Sequence, residues 1–291
     1  MKKICIFELQ NLIPEDFKMK TQQDNDYLSI GSDELFAFEN KRTSGRKHFE
    51  KYIKLTPPVT NNFINSSKAI IDDDDQKGVD EEKYPYNCIA RLIIRSRDGK
   101  SIKYGTGFFI SKQCLITAGH NIYFNREFAK DVTVIPGANE YKDAPYGKAT
   151  TTTLRCMEKW AYDHDNNYDY GAVILQDDSL FNKVKGYFDY ESPETFDVGV
   201  ELCGYPVETV EKKGAQWKSE GKIDCADKNH LHYQLDTEPG QSGSPVFVRK
   251  GKSCVVIGVH HRFETCNHAI RVNEMIVSKW NEWAEIKPKK I

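Results

Sequence analysis

The stretch "TEPGQSGSPVFV", Thr237–Val248, places glycines on both sides of a serine and then enters a proline and a strand-forming run. A plain surface turn needs one glycine, but here Gly240 and Gly243 flank Ser242. Glycines let a tight loop turn backbone N–H groups toward a ligand. The stretch therefore predicts a nucleophilic Ser242, provided that the chain also supplies a base and an orienting carboxylate.

Length and charge exclude several classes of function. A chain of 291 residues accommodates one domain of about 200–250 residues with an appendage, or two domains. The net charge of −2, from 41 basic and 43 acidic residues, gives no nucleic-acid footprint. No stretch approaches the roughly 20 apolar residues of a membrane span. Glu8 and Gln10 interrupt the apolar patch near the N-terminus, which makes it a poor secretory signal.

The cysteines and histidines do not indicate a metal site. Eight cysteines lack CxxC spacing, so up to four disulfides or none can form, and the redox compartment stays open. His230 and His232 alternate in a predicted strand and are expected to face solvent. We expect neither a metal nor a cofactor.

The amino-acid composition and pattern of the chain change at about Tyr84. Residues 1–83 include "TPPVTNNFINSS" and the acidic run Asp72–Asp75, a composition that buries little and is typical of a poorly structured pro-region or linker. The simplest interpretation of the four aspartates is a solvated turn; calcium binding and a processing signal are alternatives.

Short strands separated by turn residues follow, and they predict an all-β sandwich or barrel pair. The predicted strands are Cys88–Arg95, Gly105–Ile110, Cys114–Thr117, Val132–Pro136, Gly171–Leu175, Val200–Gly204, Gln216–Ile223, His232–Leu235, Pro245–Val248, Cys254–His260 and Ala269–Val272. Only the C-terminal end looks helical, because Ile276, Trp280 and Trp283 recur at helical spacing in "EMIVSKWNEWAEI".

Two further residues complete a catalytic pattern with Ser242. His120 follows the apolar run Cys114–Thr117 in "CLITAGHNIY", and Asp169 precedes an apolar run in "NNYDYGAVIL". Taken singly, the histidine could be packed at a turn and the aspartate could cap one. The order His, Asp, Ser, with each residue at the edge of a predicted strand, instead favours a catalytic triad.

These motifs resemble the chymotrypsin-fold serine peptidases, and among them the bacterial glutamyl endopeptidases. "TAGHNIY", "NYDYGAVIL" and "GQSGSPVF" match the histidine, aspartate and serine motifs, and the resemblance spans about residues 69–286. It implies a trypsin-like double antiparallel β-barrel with a C-terminal helix. It also implies that Ser242 is the nucleophile, His120 the base and Asp169 its orienting group, with the N–H groups of Gly240 and Ser242 as the oxyanion hole.

The same resemblance implies a preference for cleavage after glutamate. Thr237 and His260 occupy the positions that bind the acidic side chain in that family, and the mature α-amino group adds a third contact. Matching the mature start places it near Ala69. We therefore expect a pro-segment over 1–68, a peptidase domain over 69–286 and a basic tail over 287–291. A permanent N-terminal appendage is the alternative.

Some residues depart from the family pattern. Glu238 would repel an acidic substrate, Arg262 could attract one, and His261 is expected to be a rim residue without a role. Asp236 lies where trypsin-like enzymes keep the aspartate that selects basic residues, but some glutamyl endopeptidases also have an aspartate there, so it does not indicate basic specificity. Basic or broader specificity, and a catalytically silent module that binds an extended peptide, remain alternatives.

The expected partners are protein or peptide substrates, with neither nucleic acid nor membrane, and the chain is expected to be a monomer. An extracellular location follows from the family habit alone, since the N-terminus lacks a clear signal sequence.

Overall fold

Two curled sheets form the framework of the residues that the computed structural model describes, which are 27–30, 70, 74–139, 143–207, 212, 214–263 and 266–285. In chain order the strands are β1 (Tyr27–Ile30), β2 (Lys77–Gly78), β3 (Ile89–Arg95), β4 (Ile102–Phe109), β5 (Cys114–Thr117), β6 (Tyr123–Phe124), β7 (Glu127–Phe128), β8 (Asp131–Pro136), β9 (Ala149–Thr151), β10 (Thr153–Met157), β11 (Gly171–Ile174), β12 (Asp189–Tyr190), β13 (Gly199–Gly204), β14 (Trp217–Lys222), β15 (Cys225–Ala226), β16 (His230–Tyr233), β17 (Pro245–Lys250), β18 (Ser253–Phe263) and β19 (Asn267–Arg271). The α-helices are α1 (Gly119–Ile122), α2 (Glu158–Asp163), α3 (Phe181–Val184) and α4 (Glu274–Ala284).

The first sheet contains eight strands in the order β1-β10-β11-β5-β4-β3-β8-β9, and all its pairs are antiparallel. The second runs β15-β16-β19-β18-β17-β13-β14-β2, with β12 paired in parallel to β18. Each sheet encloses apolar side chains. The first cluster extends from β3, β4 and β5 to α4, and the second fills the space between β13, β16, β17 and β18. The predicted all-β class with two antiparallel sheets and a C-terminal helix is confirmed.

Helix α4 forms as its apolar spacing predicts. The side chain of Asn273 accepts a hydrogen bond from the N–H of Ile276 and caps the first turn. Ile276, Trp280 and Trp283 are buried on one face. Trp280 meets Phe108 edge-on at 6.0 Å, so the helix closes the first cluster from outside.

The eleven predicted strands all occur, with ends that shift by up to three residues. Sequence reasoning missed the short strands such as β9, β10 and β15, and it missed the three short helices α1, α2 and α3. Most of these pieces are shorter than two full periods of a helical or alternating pattern, and β10, which has five residues, is buried on both faces, so they leave no periodic signal.

The N-terminal segment, expected to be poorly structured, contributes one described strand. β1 pairs antiparallel with β10, Tyr27 opposite Met157, at the edge of the first sheet. The remainder of 1–68 and the predicted tail 287–291 lie outside the described residues. Within the described part of the chain, no helix is both long enough and apolar enough to cross a bilayer.

Candidate active site

His120 and Asp169 are brought together by the pairing of two central strands. β5 and β11 are antiparallel neighbours with Thr117 opposite Gly171, so the end of β5 and the start of β11 meet at one edge. His120 lies just beyond β5, in α1, and Asp169 just before β11. The carboxylate of Asp169 accepts from the backbone N–H of His120 at 2.7 Å and contacts its Nδ1 at 2.8 Å. Both the backbone and the ring of His120 are thereby fixed.

The turn before His120 must be free of a side chain. A Cβ on Gly119 would lie 2.8 Å from Cδ1 of Trp160 and 2.9 Å from Oδ1 of Asp169. The Trp160 ring also packs edge-on against the imidazole of His120, at 6.3 Å between centroids. The absence of a side chain at Gly119 thus lets the carboxylate reach the imidazole.

The loop that bears Ser242 is held against the same edge. Gly240 and Gly243 have φ of +97° and +89°, values that favour glycine. A Cβ on Gly243 would lie 2.1 Å from the carbonyl oxygen of Thr106. The carbonyl of Ser242 accepts from the N–H of Thr106 at 2.9 Å and from Nδ2 of Asn121 at 2.8 Å. Ser242 is therefore tied to the residue that follows His120.

Two backbone donors of this loop have no partner within the described part of the chain. The N–H of Gln241 donates to Glu238 and that of Gly243 to His260, whereas the N–H groups of Gly240 and Ser242 donate to no described residue. The hydroxyl of Ser242 donates to the carbonyl of His261 at 3.3 Å. The loop thus presents a hydroxyl and two free N–H groups, which is the donor set of an oxyanion hole.

Sequence reasoning missed the role of His261, which was expected to be a rim residue. A β-bulge interrupts the pairing of β18 with β19 between His260 and Arg262, so His261 is the extra residue. Its side chain is fully buried, and Nδ1 lies 3.3 Å from Oδ2 of Asp169. Asp169 is therefore contacted by two imidazoles. A bulge leaves no trace in a single sequence, so no pattern could have found this contact.

Burial and the two histidines act on Asp169 in opposite directions. Burial alone would raise the pKa of Asp169, but the charge and hydrogen bond of His120, together with those of His261, outweigh it and hold the pKa well below its ordinary value. Burial lowers the pKa of His261 to about 4, against the opposing effect of Asp169. At neutral pH Asp169 is a carboxylate and His261 a neutral donor to it.

The two predicted substrate-binding residues lie together beside the serine loop. His260 is buried in β18, and its Nδ1 lies 2.8 Å from the hydroxyl of Tyr233. Burial, with smaller effects of His261 and His120, lowers the pKa of His260 to about 3. The hydroxyl of Thr237 donates to Oδ1 of Asn267 at 2.7 Å, so its proton is already engaged. Tyr233 and Asn267 thus hold the side chains of His260 and Thr237, and the sequence analysis did not single them out.

Glu238 does not present an uncompensated charge, contrary to the expectation that it would repel an acidic substrate. Its side chain is fully buried and pairs with Nζ of Lys212 at 2.9 Å. Lys212 also pairs with Asp74, which belongs to the acidic run. The neighbouring Asp236 accepts from the backbone N–H of Asp75 at 3.0 Å. Residues from the acidic run thus pack against the loop that precedes Ser242.

The other histidines and the cysteines also depart from expectation. His230 and His232 are mostly buried and do not simply face solvent. The ring of His230 stacks on His261 at 5.6 Å. The seven described cysteines form no disulfide with one another.

Comparison with known proteins places this geometry in context. The family model described as Trypsin matches residues 76–283. The glutamyl endopeptidase of Bacillus licheniformis is 37% identical over 187 residues, which are 62% of this chain and 55% of that protein. A Bacillus subtilis protein named extracellular metalloprotease is 30% identical over 207 residues, 70% of this chain and 62% of its own. The part of this chain that matches thus spans less than two thirds of the length of either relative.

A solved structure extends the likeness to the fold. A Glu endopeptidase in complex with MPD superposes with a TM-score of 0.67 at 24% identity, covering 75% of this chain and 100% of that one. The likeness supports the trypsin-like arrangement of the two sheets.

Proposed function

Because the chain belongs to the trypsin family, we propose that it is a serine endopeptidase whose triad is Ser242, His120 and Asp169. The observation that carries the proposal is the double contact of Asp169 with the backbone and ring of His120, beside a loop that bears Ser242 and two free N–H groups. Its substrates are proteins or peptides.

The reaction would proceed through an acyl-enzyme. Oγ of Ser242 adds to the carbonyl carbon of the scissile bond while its proton passes to Nε2 of His120. The resulting oxyanion accepts hydrogen bonds from the N–H groups of Gly240 and Ser242, and each such donor is worth about 3–4 kcal/mol. His120 then gives the proton to the departing amine, and water repeats the sequence to release the acid. Asp169 stabilises the imidazolium throughout.

In the described state the hydroxyl of Ser242 is directed at His261. The Ser242 hydroxyl donates to the carbonyl of His261 and must turn about its Cα–Cβ bond toward His120. Hydrogen bonds between nucleophile and base are often loose in an unliganded enzyme and tighten in the complex.

Labelling with a fluorophosphonate probe tests the nucleophile. The full-length chain and a form beginning at Ala69 would be treated, and peptide mapping would locate the adduct. We expect Ser242 to be labelled and the variants Ser242→Ala and His120→Ala to stay unlabelled. A folded protein that takes up no probe in either form would favour the silent peptide-binding module instead.

We also propose that cleavage follows glutamate. The neutral imidazole of His260, whose Nδ1 contacts Tyr233, would donate from Nε2 to a substrate carboxylate. Glu238 is buried and paired with Lys212, and Asp236 is buried and accepts a hydrogen bond from the N–H of Asp75, so neither carboxylate is exposed to a basic side chain. The name of the Bacillus licheniformis relative agrees with this preference.

A matched peptide series tests the preference. Peptides that differ only in glutamate, glutamine, aspartate or lysine before the scissile bond would be compared by kcat/KM. We expect glutamate to be preferred over glutamine at least tenfold, and His260→Gln to reduce that ratio while leaving labelling of Ser242 intact. Equal rates for lysine and glutamate would contradict the proposal.

Finally, we propose that removal of residues 1–68 completes an extracellular enzyme. Ala69 lies a few residues before Asp75 and Gln76, and Nε2 of Gln76 donates to Oε1 of Gln241, next to Ser242, at 2.9 Å. Cleavage before Ala69 would therefore change the chain close to the loop that bears Ser242. Intact mass measured as activity appears tests it: activity with an unprocessed N-terminus would identify 1–68 as a permanent appendage.

A further inference from the structure

Three metal-ligating side chains converge on the second sheet. They lie outside the proposed triad and are separated from Asp169 by His261. His232 in β16 lies directly opposite His268 in β19, and Cys266 immediately precedes β19. The candidate ligand atoms of His232, Cys266 and His268 all lie within 4.8 Å of one another. Imidazole nitrogen and thiolate sulfur are the ligands that zinc and similar divalent transition metals prefer.

The distance between two of these atoms fits a shared ion. Nδ1 of His232 lies 3.7 Å from Sγ of Cys266. Zinc–sulfur and zinc–nitrogen bonds of about 2.3 and 2.0–2.1 Å, at a tetrahedral angle, separate the two ligand atoms by about 3.6 Å. The pair therefore needs little rearrangement to hold one ion between them.

A carboxylate orients the first of these histidines. Nε2 of His232 lies 3.1 Å from Oδ2 of Asp227. The other oxygen of Asp227 accepts from the backbone N–H groups of Asn229 and His230 at 2.7 and 2.8 Å, which fixes the carboxylate. A hydrogen on Nε2, held by Asp227, leaves the lone pair of Nδ1 directed at Cys266. Metal-binding histidines commonly have such a carboxylate on the distal nitrogen.

The surroundings leave an entry path to the cluster. His268 is buried, whereas His232 and Cys266 are partly exposed, so an ion can reach the cluster from solvent. Cys266 is not part of a disulfide, so its sulfur is available as a thiolate ligand. On the inner side, the ring of His268 meets that of His261 at 4.7 Å, and His261 separates the cluster from Asp169.

We propose that His232, Cys266 and His268 bind one zinc ion or a similar divalent transition metal, with a fourth position left to water. The sequence alone gave no reason to expect a metal, because the histidine and cysteine spacing follows strand pairing and not a local motif. The inference stands independently of the proposed peptidase activity, since its readout is metal binding.

Cobalt titration tests the site directly. The full-length chain carrying Ser242→Ala, which prevents autolysis, would be reduced and titrated with Co²⁺ without oxygen. We expect one equivalent to bind and to give a thiolate-to-cobalt charge-transfer band, which Zn²⁺ then abolishes by displacement. Cys266→Ser should lose the band, and Asp227→Asn should weaken binding about 10–100-fold. Cys254→Ser, which changes a cysteine of the same sheet that pairs with Arg249 and not with a proposed ligand, is the control and should keep the band.

Three results would overturn the proposal. They are a reduced protein that binds no Co²⁺ or Zn²⁺, a band that survives in Cys266→Ser, and a band that Cys254→Ser removes. Because His268→Asn changes a buried side chain and could fail to fold, the partly exposed Cys266 carries the test. Zinc should also raise the melting temperature of the parent protein and not that of Cys266→Ser.

Discussion

Oδ2 of Asp169 is shared by two imidazoles, lying 2.8 Å from Nδ1 of His120 and 3.3 Å from Nδ1 of His261. The histidines differ in exposure, since the side chain of His120 is 33% accessible and that of His261 is fully buried. One can exchange protons with solvent and substrate, while the other is a fixed donor. His261 is therefore a positioning residue for the carboxylate that positions His120.

Replacement of Asp169 by asparagine should remove the orientation of His120 with little change in volume. An amide in this place favours the wrong tautomer of the imidazole, so we expect kcat to fall about 10⁴-fold with KM nearly unchanged. Steady-state kinetics on a glutamyl peptide measures both. Asp197→Asn, at an exposed site, is the control and should be indistinguishable from the parent protein.

Variants of His261 separate a positioning role from simple packing. His261→Gln can keep a donor toward Asp169, whereas His261→Leu fills a similar volume without one. A hydrogen bond to a charged group is worth about 1.5–3 kcal/mol, so we expect the leucine variant to lose about 10–100-fold in kcat. The glutamine variant should recover most of this loss. Equal losses for both, or a change confined to KM, would assign His261 to packing alone.

The glycine after Ser242 is required by contact as well as by conformation. A Cβ at Gly243 would meet Thr106 and Thr117 at 2.1 and 2.4 Å, whereas nothing lies within 4 Å at Gly251, where φ is also positive. Gly251→Ala should cost about 1–2 kcal/mol, from backbone strain alone. Gly243→Ala should cost clearly more and abolish labelling of Ser242. Denaturant unfolding of both variants checks this, and equal costs would contradict it.

The buried pair of Lys212 and Glu238 makes a further prediction. Lys212→Met would leave the carboxylate of Glu238 buried without its cation, and breaking a buried pair in this way costs about 3–5 kcal/mol. The double variant Lys212→Met with Glu238→Gln removes both charges and should regain much of that stability. Unfolding free energies of the two variants measure the coupling. A double variant no more stable than Lys212→Met would show that the charge of Glu238 is not the cause.

The features that the sequence predicts correctly are those formed by residues close together in the chain. Central strands such as β5 and β11 leave apolar runs, and residues at their ends, His120 and Asp169, are found by reading along the chain. Contacts between residues that lie far apart in the sequence leave no such local pattern. Lys212 reaches Glu238 and Asp74 through folding, and the β-bulge at His261 inverts the expected exposure of that residue. The candidate metal ligands meet only because β16 and β19 pair in one register.

The low pKa of Asp169 predicts how stability should depend on acid. Because its folded-state pKa lies well below that of an unfolded aspartate, about 3.9, the carboxylate stabilises the fold at neutral pH. Below about pH 3.9 the unfolded chain binds a proton that the folded protein does not, so this stability is lost as pH falls toward the folded-state pKa. The slope attributable to Asp169 is up to about 1.4 kcal/mol per pH unit. Urea unfolding between pH 5 and pH 2.5 should show this slope in the parent and in Asp197→Asn, and a shallower one in Asp169→Asn. Parallel curves for all three proteins would exclude Asp169 as the source of the acid dependence.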